Sequence, residues 1–135
     1  ASIGCEAHIR DWQQLSNGLL GIRVEGGRRF DVQSSEVQDD QLTVAQVAWR
    51  AEPALQPLNE RHADLLVLLE ALGQHPMVKT LGLGGPVDDQ ATLANQLAYL
   101  LPFEATQKIE LLRLDKPDLQ LEQIQSLLEQ LQDGA

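Results

Sequence analysis

Cysteine, histidine and serine are the residues of this sequence most able to carry out catalysis. Cys5 alternates with apolar residues, so its thiol is predicted on the inner face of a strand, whereas His8 falls on the opposite face by parity. His62 and His75 lie far from His8 and from each other, so no histidine pair has the i, i+4 spacing of a helical metal site. No serine lies in a Gly-x-Ser-x-Gly turn. The sequence therefore predicts neither a nucleophile–base pair nor a metal centre.

Glycine-rich and acidic segments provide the remaining candidates for a cofactor site. The run Gly82–Gly85 is similar to part of a phosphate-binding loop, but no Gly-Lys-Ser/Thr follows it, and Pro86 lacks a backbone donor. The carboxylate pairs Asp39–Asp40 and Asp88–Asp89 lie where turns and helix N-caps favour aspartate. We interpret these segments as structural and expect no cofactor.

Arginine and tryptophan side chains near the strand ends are the candidates for binding. Arg10 and Trp12 share the polar-face parity at the end of the first strand, and Trp49 ends the last strand. One interpretation is that both tryptophans fill the ends of a barrel. The other is that one of them is partly exposed and anchors a peptide, because tryptophan and arginine are over-represented at binding hot spots. Arg10, Trp12 and Trp49 are therefore the candidate peptide-binding residues.

The size and charge of the chain restrict its function. Its 135 residues suffice for one compact domain with a hydrophobic core. Twenty acidic residues against ten lysines and arginines give a net charge of −10, which disfavours nucleic acid and anionic membrane surfaces as partners. One cysteine excludes an internal disulfide, and no apolar stretch approaches the ~18 residues of a membrane helix. No signal peptide is visible, so a cytoplasmic location is expected.

The first fifty residues alternate with period two, which predicts an antiparallel meander of about four strands. Ser16–Gly18 is predicted to form the first turn. Gly26–Gly27 is predicted to form a second tight hairpin that places Glu25 opposite Arg28. The last predicted strand, 42–50, changes phase partway, as a β-bulge or a passage between two layers would require.

Helical periodicity replaces this alternation in the second half of the chain. Residues 53–58, with two prolines, are predicted to link a β part (1–52) to a helical part (59–135). About four helices are predicted, at 59–72, 88–101, 104–114 and from 115 onward, with 75–86 as a loop. The predicted fold class is therefore α+β, an antiparallel β meander followed by a helical bundle. In the last helix we expect a buried stripe of Leu121, Ile124, Leu128 and Leu131.

Two groups of segments resemble the N-terminal substrate-binding domain of Lon proteases. In the β part, Ile3–Ile9 and Leu19–Phe30 are similar to that family's Gly-Thr-x-Ala-x-Ile strand and to its hairpin ending in Val-x-Gly-x-x-Arg. In the helical part, Leu93–Leu97, Leu101–Glu104 and the segment that starts at Lys108 are similar to its Leu-Ala-Asp, Leu-Pro-Leu and Lys-Gln-x-Leu-Leu-Glu motifs. The resemblance covers nearly the whole chain and keeps the order of strands, linker and helices.

This resemblance implies a partial PUA-like β pseudobarrel joined to a helical bundle. It also implies a non-catalytic module that recognises unfolded or degron-bearing polypeptides for an attached machine. The sequence carries neither the ATPase nor the peptidase module of the family, so we expect no enzymatic activity from the chain itself. Two alternatives stay open: a PUA-like RNA-binding domain, which the net charge disfavours, and an enzyme with an unrecognised site.

The opening strands of the resembled family have no counterpart in this sequence. Open strand edges are therefore expected, and the chain is expected to pair through them with a second copy, as a homo-oligomer, or with a missing N-terminal segment. The apolar side chains of the inner face would then lack their usual cover: Ile3, Ile9, Ile22, Val24, Phe30 and Val32.

Overall fold

The computed structural model of the protein describes residues 2–52 and 54–133. Residue contacts divide the chain into a β unit, residues 1–52, and a helical unit, residues 53–135. The fold class is α+β as predicted, with antiparallel strands first and helices after them. Residues 54–58 form no helix or strand, apart from a single bridge between Pro57 and Asp89.

The β unit is a three-stranded antiparallel sheet in the order β1 (Ile3–Gln14), β2 (Leu20–Val37) and β3 (Thr43–Trp49). The predicted first turn is confirmed. Gly18 has a φ of 83°, a conformation that glycine adopts without steric cost, and the Leu15 N–H donates to the Leu19 carbonyl at 2.7 Å across the turn.

The predicted hairpin at Gly26–Gly27 is wrong, because β2 runs through both glycines and the sheet has three strands. The register between β1 and β2 shifts by one residue between Cys5 and Ala7, which marks a β-bulge in β2. A Cβ atom on Gly27 would lie 2.5 Å from a carboxylate oxygen of Glu6. The bulge and this close side-chain approach, rather than a turn, explain the glycine pair.

Strand β3 corresponds to the last predicted strand, but the bulge at this point lies in the partner strand β2, so Val44 and Val47 of β3 lie on opposite faces of the sheet. The register between β2 and β3 shifts between Val32 and Ser34 of β2. At the end of β3, the Arg50 guanidinium donates to both carboxylate oxygens of Asp31 at 3.0–3.2 Å. This two-point ion pair holds the end of β3 against β2.

The described part of the helical unit contains a short 3₁₀ helix and five α-helices. They are the 3₁₀ helix Glu60–His62, α1 (Ala63–Leu72), α2 (Pro76–Thr80), α3 (Gln90–Leu100), α4 (Ala105–Arg113) and α5 (Pro117–Asp133). Asp89 caps α3, because its carboxylate accepts the Thr92 N–H at 2.9 Å. The predicted start of this helix is therefore confirmed.

Helix α2 corrects the prediction of a loop over residues 75–86. The imidazole Nδ1 of His75 accepts the Met77 N–H at 3.2 Å, and Pro76 occupies the first turn of the helix. Proline has its φ pre-set for a helix at this position and loses no intrahelical hydrogen bond there. The cap and the proline together begin this helix, which is too short for hydrophobic periodicity to reveal it.

The core of the helical unit is formed largely by leucines of α1, α3 and α5. Helix α5 buries Leu121 and Ile124 as predicted, but its next buried residue is Leu127, and Leu128 is only partly buried. The predicted burial of Leu131 is wrong, because this side chain is exposed. The core consists of Leu65, Leu69, Leu93, Ala94, Leu97, Leu101, Phe103, Leu111, Leu121, Ile124 and Leu127.

Candidate functional site

A third bulge, in β1 at Arg10, decides which side chains of the β1–β2 pair share a face of the sheet. Ile9 pairs with Val24 and Trp12 pairs with Ile22, so three steps along β1 correspond to two steps along β2. Directly opposed residues of an antiparallel pair point to the same face, and residues two apart on one strand do so as well. The bulge therefore brings Trp12 to the face that carries Ile9, Ile22 and Val24.

Large apolar side chains stand exposed on this face of the β1–β2 ribbon. Leu20 joins the set because it is two residues from Ile22 on the same strand. The five side chains are between 51% and 68% exposed and together present on the order of 600 Å², the upper end for the largest apolar patch of an ordinary monomer. The surface formed by Ile9, Trp12, Leu20, Ile22 and Val24 is called the ribbon face below.

The opposite face of the same ribbon is charged. The guanidinium Nε of Arg10 lies 3.4 Å from a carboxylate oxygen of Glu25, and His8 Nε2 lies 2.8 Å from Glu6 Oε1. Glu25 pairs across the strands with His8, not with Arg28 as predicted. Arg10 and Trp12 were expected on one face, but the bulge separates them, so Arg10 contacts the charged side.

Trp49 occupies a different place in the sheet, beside Phe30. Their ring centroids are 5.6 Å apart at an interplanar angle of 83°, and the Arg28 guanidinium carbon lies 5.3 Å from the Trp49 ring centroid. Phe30 pairs with Gly4, eight residues before Trp12 on β1, which corresponds to roughly 25 Å along the strand. The structure therefore does not bring the two tryptophans together.

The exposure of the two tryptophans argues against the interpretation that both of them fill the ends of a barrel. Trp12 is 68% exposed and fills no interior, whereas Trp49 is 47% exposed and is held by an aromatic neighbour and a cation. Sequence parity failed for Trp12 because an inserted residue changes the phase of everything after it. A signal was present, since strict alternation from Ile3 would place a tryptophan among charged residues.

Cys5 and His8, which were weighed as catalytic candidates in the sequence, each contact a partner in the structure. The Cys5 thiol donates to the Gly27 carbonyl oxygen at 3.4 Å, and its residue is exposed rather than inward-facing as predicted. His8 is engaged by Glu6, on the other face. Within residues 2–52 and 54–133, no three His, Cys, Asp or Glu side chains are grouped to hold a metal ion.

The glycine-rich loop uses its backbone donors internally. The Gly82, Leu83 and Gly84 N–H groups donate to the carbonyls of Lys79 and Val78 and to the Gln96 side-chain oxygen, respectively, at 3.0–3.1 Å. These donors are therefore not presented to a phosphate. A Cβ atom on Gly73 would lie 2.5 Å from the Gly84 carbonyl oxygen, so two backbone segments meet here.

His62 is a buried titratable group that the sequence did not single out. Its Nδ1 accepts the Asn59 N–H at 3.4 Å, which closes the cap of the 3₁₀ helix. Burial lowers the pKa of His62, and the Arg61 charge lowers it further, although Asp118 and Glu122 oppose the shift. The lowered pKa favours the neutral imidazole, whose Nδ1 accepts this hydrogen bond within the helical unit.

Comparison with known proteins adds a family and a fold to this geometry. The family model of the "ATP-dependent protease La (LON) substrate-binding domain" matches residues 1–130. A Lon N-terminal domain protein from Xanthomonas campestris has a TM-score of 0.75 at 33% identity, over 93% of this chain and 68% of that one. The N-terminal domain of Lon protease from Mycobacterium avium complex has a TM-score of 0.62 at 19% identity, over 91% of this chain and 67% of that one.

No curated protein matches the sequence significantly. Among the helices in residues 2–52 and 54–133, none combines the length and the apolar character needed to cross a membrane.

Proposed function

Because the chain belongs to the family of ATP-dependent protease La (LON) substrate-binding domains, we propose that it binds its polypeptide substrates through the ribbon face. Membership of this family makes the chain a substrate-recognition module. The proposal concerns which surface binds the substrate and what kind of substrate it binds. The observation that carries this proposal is the exposure of five large apolar side chains on one face of the β1–β2 ribbon.

An exposed apolar surface suits unfolded polypeptides. Folded proteins bury most of their large apolar side chains, whereas unfolded segments expose them, and hydrophobic contact is non-directional and tolerates many sequences. At roughly 25 cal/mol per Å², covering about 600 Å² contributes on the order of 15 kcal/mol. Association itself costs an estimated ~4–15 kcal/mol, so the net affinity is expected to be modest. Modest affinity lets a substrate be passed on.

Trp12 is the proposed anchor of this surface, because its rigid side chain is two-thirds exposed and pairs across the strands with Ile22. We propose that Arg10 acts as the inserted residue of the bulge, which places the Trp12 side chain on this face. Trp49, with Arg28 over its ring, is proposed as a separate and weaker contact at the other end of the sheet.

We also propose that the substrates are unfolded or degron-bearing polypeptides destined for proteolysis in the cytoplasm, and that the chain itself performs no catalysis. The β unit is proposed to be part of a PUA-like pseudobarrel. Pairing with a second copy or with an N-terminal segment is proposed for the edge of β1 that precedes Arg10, where the strand has no bulge.

The test is a binding measurement with a matched pair of variants. The probe is a reduced, carboxymethylated and fluorescently labelled globular protein, which cannot refold, and the readout is its anisotropy. Val24→Ser removes an apolar side chain from the ribbon face, and we expect the affinity to fall about tenfold or more. Val67→Ser makes the same substitution at another exposed valine, which lies on α1 and is 63% exposed. This control should leave the affinity within about twofold of the wild-type value.

Two outcomes would contradict the proposal. Equal losses in both valine variants would indicate that general apolar exposure, not the ribbon face, binds the probe. Retention of full affinity by both variants would place the binding surface elsewhere on the chain.

A further inference from the structure

Gln90, the first residue of α3, is a buried polar side chain that attaches the preceding segment to the helical unit. Its backbone N–H donates to the Gln56 carbonyl at 2.8 Å, and its side-chain Nε2 donates to the Pro57 carbonyl at 3.0 Å. The second bond fixes the orientation of the side-chain amide, because the reversed amide would place two carbonyl oxygens against each other. The side-chain oxygen Oε1 is therefore the atom that does not face Pro57.

The Oε1 atom of Gln90 is a buried acceptor that has a hydrogen bond still to accept. Gln90 is 7% exposed, and within residues 2–52 and 54–133 no group donates to Oε1. A buried acceptor without a donor lowers stability, and buried polar groups in folded proteins are nearly always paired. A molecule that donates a hydrogen bond to this oxygen therefore gains free energy on binding.

Gln90 lines a cleft of about 410 Å³ whose lining residues all belong to the helical unit. Buried Gln90 and Pro117 form its floor, and its rim includes the exposed cations Arg61 and Lys116 and the half-buried Asp118. The volume lies in the lower part of the ~300–1,000 Å³ range of ligand pockets, so it suits a small group and not a long segment. Exposed side chains change rotamer rapidly, so Arg61 and Lys116 can move aside to admit a ligand. This site is called the Gln90 cleft below.

We infer that the Gln90 cleft binds a primary ammonium group of a polypeptide, either the N-terminal amine or a lysine side chain. Gln90 Oε1 and the Asp118 carboxylate are its acceptors, and an ammonium group carries three donors, enough for both. The inference goes beyond the proposed function, because the ribbon face lies in the β unit and has no part in it.

Both signs of charge occur around the Gln90 cleft, and each cationic feature has an acidic counterpart. The Arg61 guanidinium lies 3.8 Å from a carboxylate oxygen of Glu122. The positive end of the α5 dipole is offset by Asp118 in the first turn of that helix. Lys116 lines the cleft together with Asp115. The local charge is therefore close to balanced, and it does not make the cleft a site for anions.

The charge of the whole helical unit and the chemistry of Oε1 both favour a cation. Residues 54–133 contain five lysines and arginines against twelve aspartates and glutamates, a net charge of −7. A field of this sign attracts cations and repels anions. A carboxylate would also meet a buried amide oxygen that has no proton to donate to it, whereas an ammonium group donates to that oxygen.

The experiment follows the side-chain amide resonances of Gln90 by NMR in the full ¹⁵N-labelled chain, with Gln90→Leu identifying them by their loss. Ala-Ala-Ala amide supplies an α-ammonium group, and N-acetyl-lysine amide supplies a side-chain ammonium group. N-acetyl-Ala-Ala-Ala amide is the neutral control, and N-acetyl-Ala-Ala-Ala carries a carboxylate instead. We expect at least one ammonium probe to shift the Gln90 resonances saturably, with an affinity about tenfold or more above those of the neutral and carboxylate probes.

Two aspartate variants with the same change in net charge locate the binding. Asp118→Asn removes a charge from the rim of the cleft, whereas Asp133→Asn removes one at the last residue of α5. We expect the first to weaken the ammonium probe about fivefold or more and the second to leave it within about twofold. Equal losses in the two variants would mean that the general negative charge, and not the cleft, attracts the probe.

Three further outcomes overturn the inference. Equal binding of the ammonium and neutral probes would assign the cleft to neutral donors, and tighter binding of the carboxylate probe would assign it to anions. If no probe shifts the Gln90 resonances, Oε1 is served by an ordered water only. Val24→Ser on the ribbon face should leave ammonium binding within about twofold, so this site and the proposed function fail independently of each other.

Discussion

The β unit and the helical unit place their apolar side chains in opposite ways. In the helical unit, leucines and isoleucine of several helices are completely enclosed, among them Leu69, Leu97 and Ile124. In the described residues of the β unit, Ile3 is the one large apolar side chain that is buried. A helical bundle with such a core is stabilised by its own packing, whereas a small sheet with an open apolar face presents surface for another molecule.

This difference shows that the hydrophobic pattern alone does not distinguish a core from a binding surface. Period-two alternation in the β unit and helical periodicity in the helical unit both predict one apolar face for each element. In α5 this apolar face is packed into the core of the helical unit, whereas in the β1–β2 ribbon it is exposed. Substitutions that compare matched residues can test this contrast directly.

The largest expected effect is on the enclosed core. Leu121→Ala removes a side chain that is fully buried in α5, and we expect a loss of about 2–5 kcal/mol in the free energy of unfolding. Leu131→Ala, on the same helix but exposed, should change it by less than about 0.5 kcal/mol. Urea unfolding followed by far-ultraviolet circular dichroism measures both. Similar losses in the two variants would mean that the stripe is buried along its whole length.

A smaller effect is expected for Gly73, where two backbone segments of the helical unit meet. Gly73→Ala places a methyl group 2.5 Å from the Gly84 carbonyl oxygen, and overpacking of this kind typically costs about 1–3 kcal/mol. Gly85→Ala is the matched control, because a Cβ atom there meets open space. Thermal unfolding of both variants provides the test, and equal melting temperatures would show that the Gly73–Gly84 approach is not tight in solution.

The two tryptophans sharpen the contrast within the β unit. Trp49→Ala removes an edge-to-face contact with Phe30 and a cation–π contact with Arg28, which together contribute about 1–2 kcal/mol. Trp12→Ala should cost less than about 0.5 kcal/mol and should act on binding instead. Amide hydrogen exchange in β3 reports the local stability. Faster exchange in Trp12→Ala than in Trp49→Ala would reverse these roles.

Much of the helical unit could be predicted from the sequence because its signals are local. Asp89 begins α3 and Glu104 precedes α4, and both boundaries follow from residues that satisfy the free N–H groups of a helix start. Helix α2 was missed, although Pro76 at a first-turn position is itself a start signal. Five residues are too few for periodicity to show.

The β unit was harder to predict because its decisive features depend on pairing between distant residues. Gly26–Gly27 suits a hairpin as well as a bulge, and only the register with β1 distinguishes the two. The extra residue at Arg10 is marked in the sequence only by a tryptophan that strict alternation would place among charged residues, yet it moves Trp12 to the other face. The peptide-binding roles of Arg10, Trp12 and Trp49 stay predictions for the experiments above.

The smallest expected effect concerns His62 and the pH dependence of the helical unit. Burial and the neighbouring Arg61 hold the pKa of His62 below its usual value of 6.5, so the unfolded chain binds this proton more readily than the folded one. The contribution of His62 to stability is therefore fully present above about pH 6.5 and is lost as the pH falls towards the folded-state pKa. Protonation would also remove the acceptor for the Asn59 N–H.

We expect the urea midpoint of the wild-type chain to fall between pH 7.5 and pH 5 by more than that of His62→Gln, whose side chain does not titrate. The glutamine retains a side-chain acceptor of similar reach, so the cap of the 3₁₀ helix has a substitute and the comparison isolates the proton. Carboxylates that do not interact with His62 contribute equally to both proteins and cancel in the difference, whereas the interaction of Asp118 and Glu122 with protonated His62 is part of the His62 effect. If the two midpoints shift in parallel over this range, His62 is not held neutral by the fold, and the enclosure of the helical unit is looser at this position than in its leucine core.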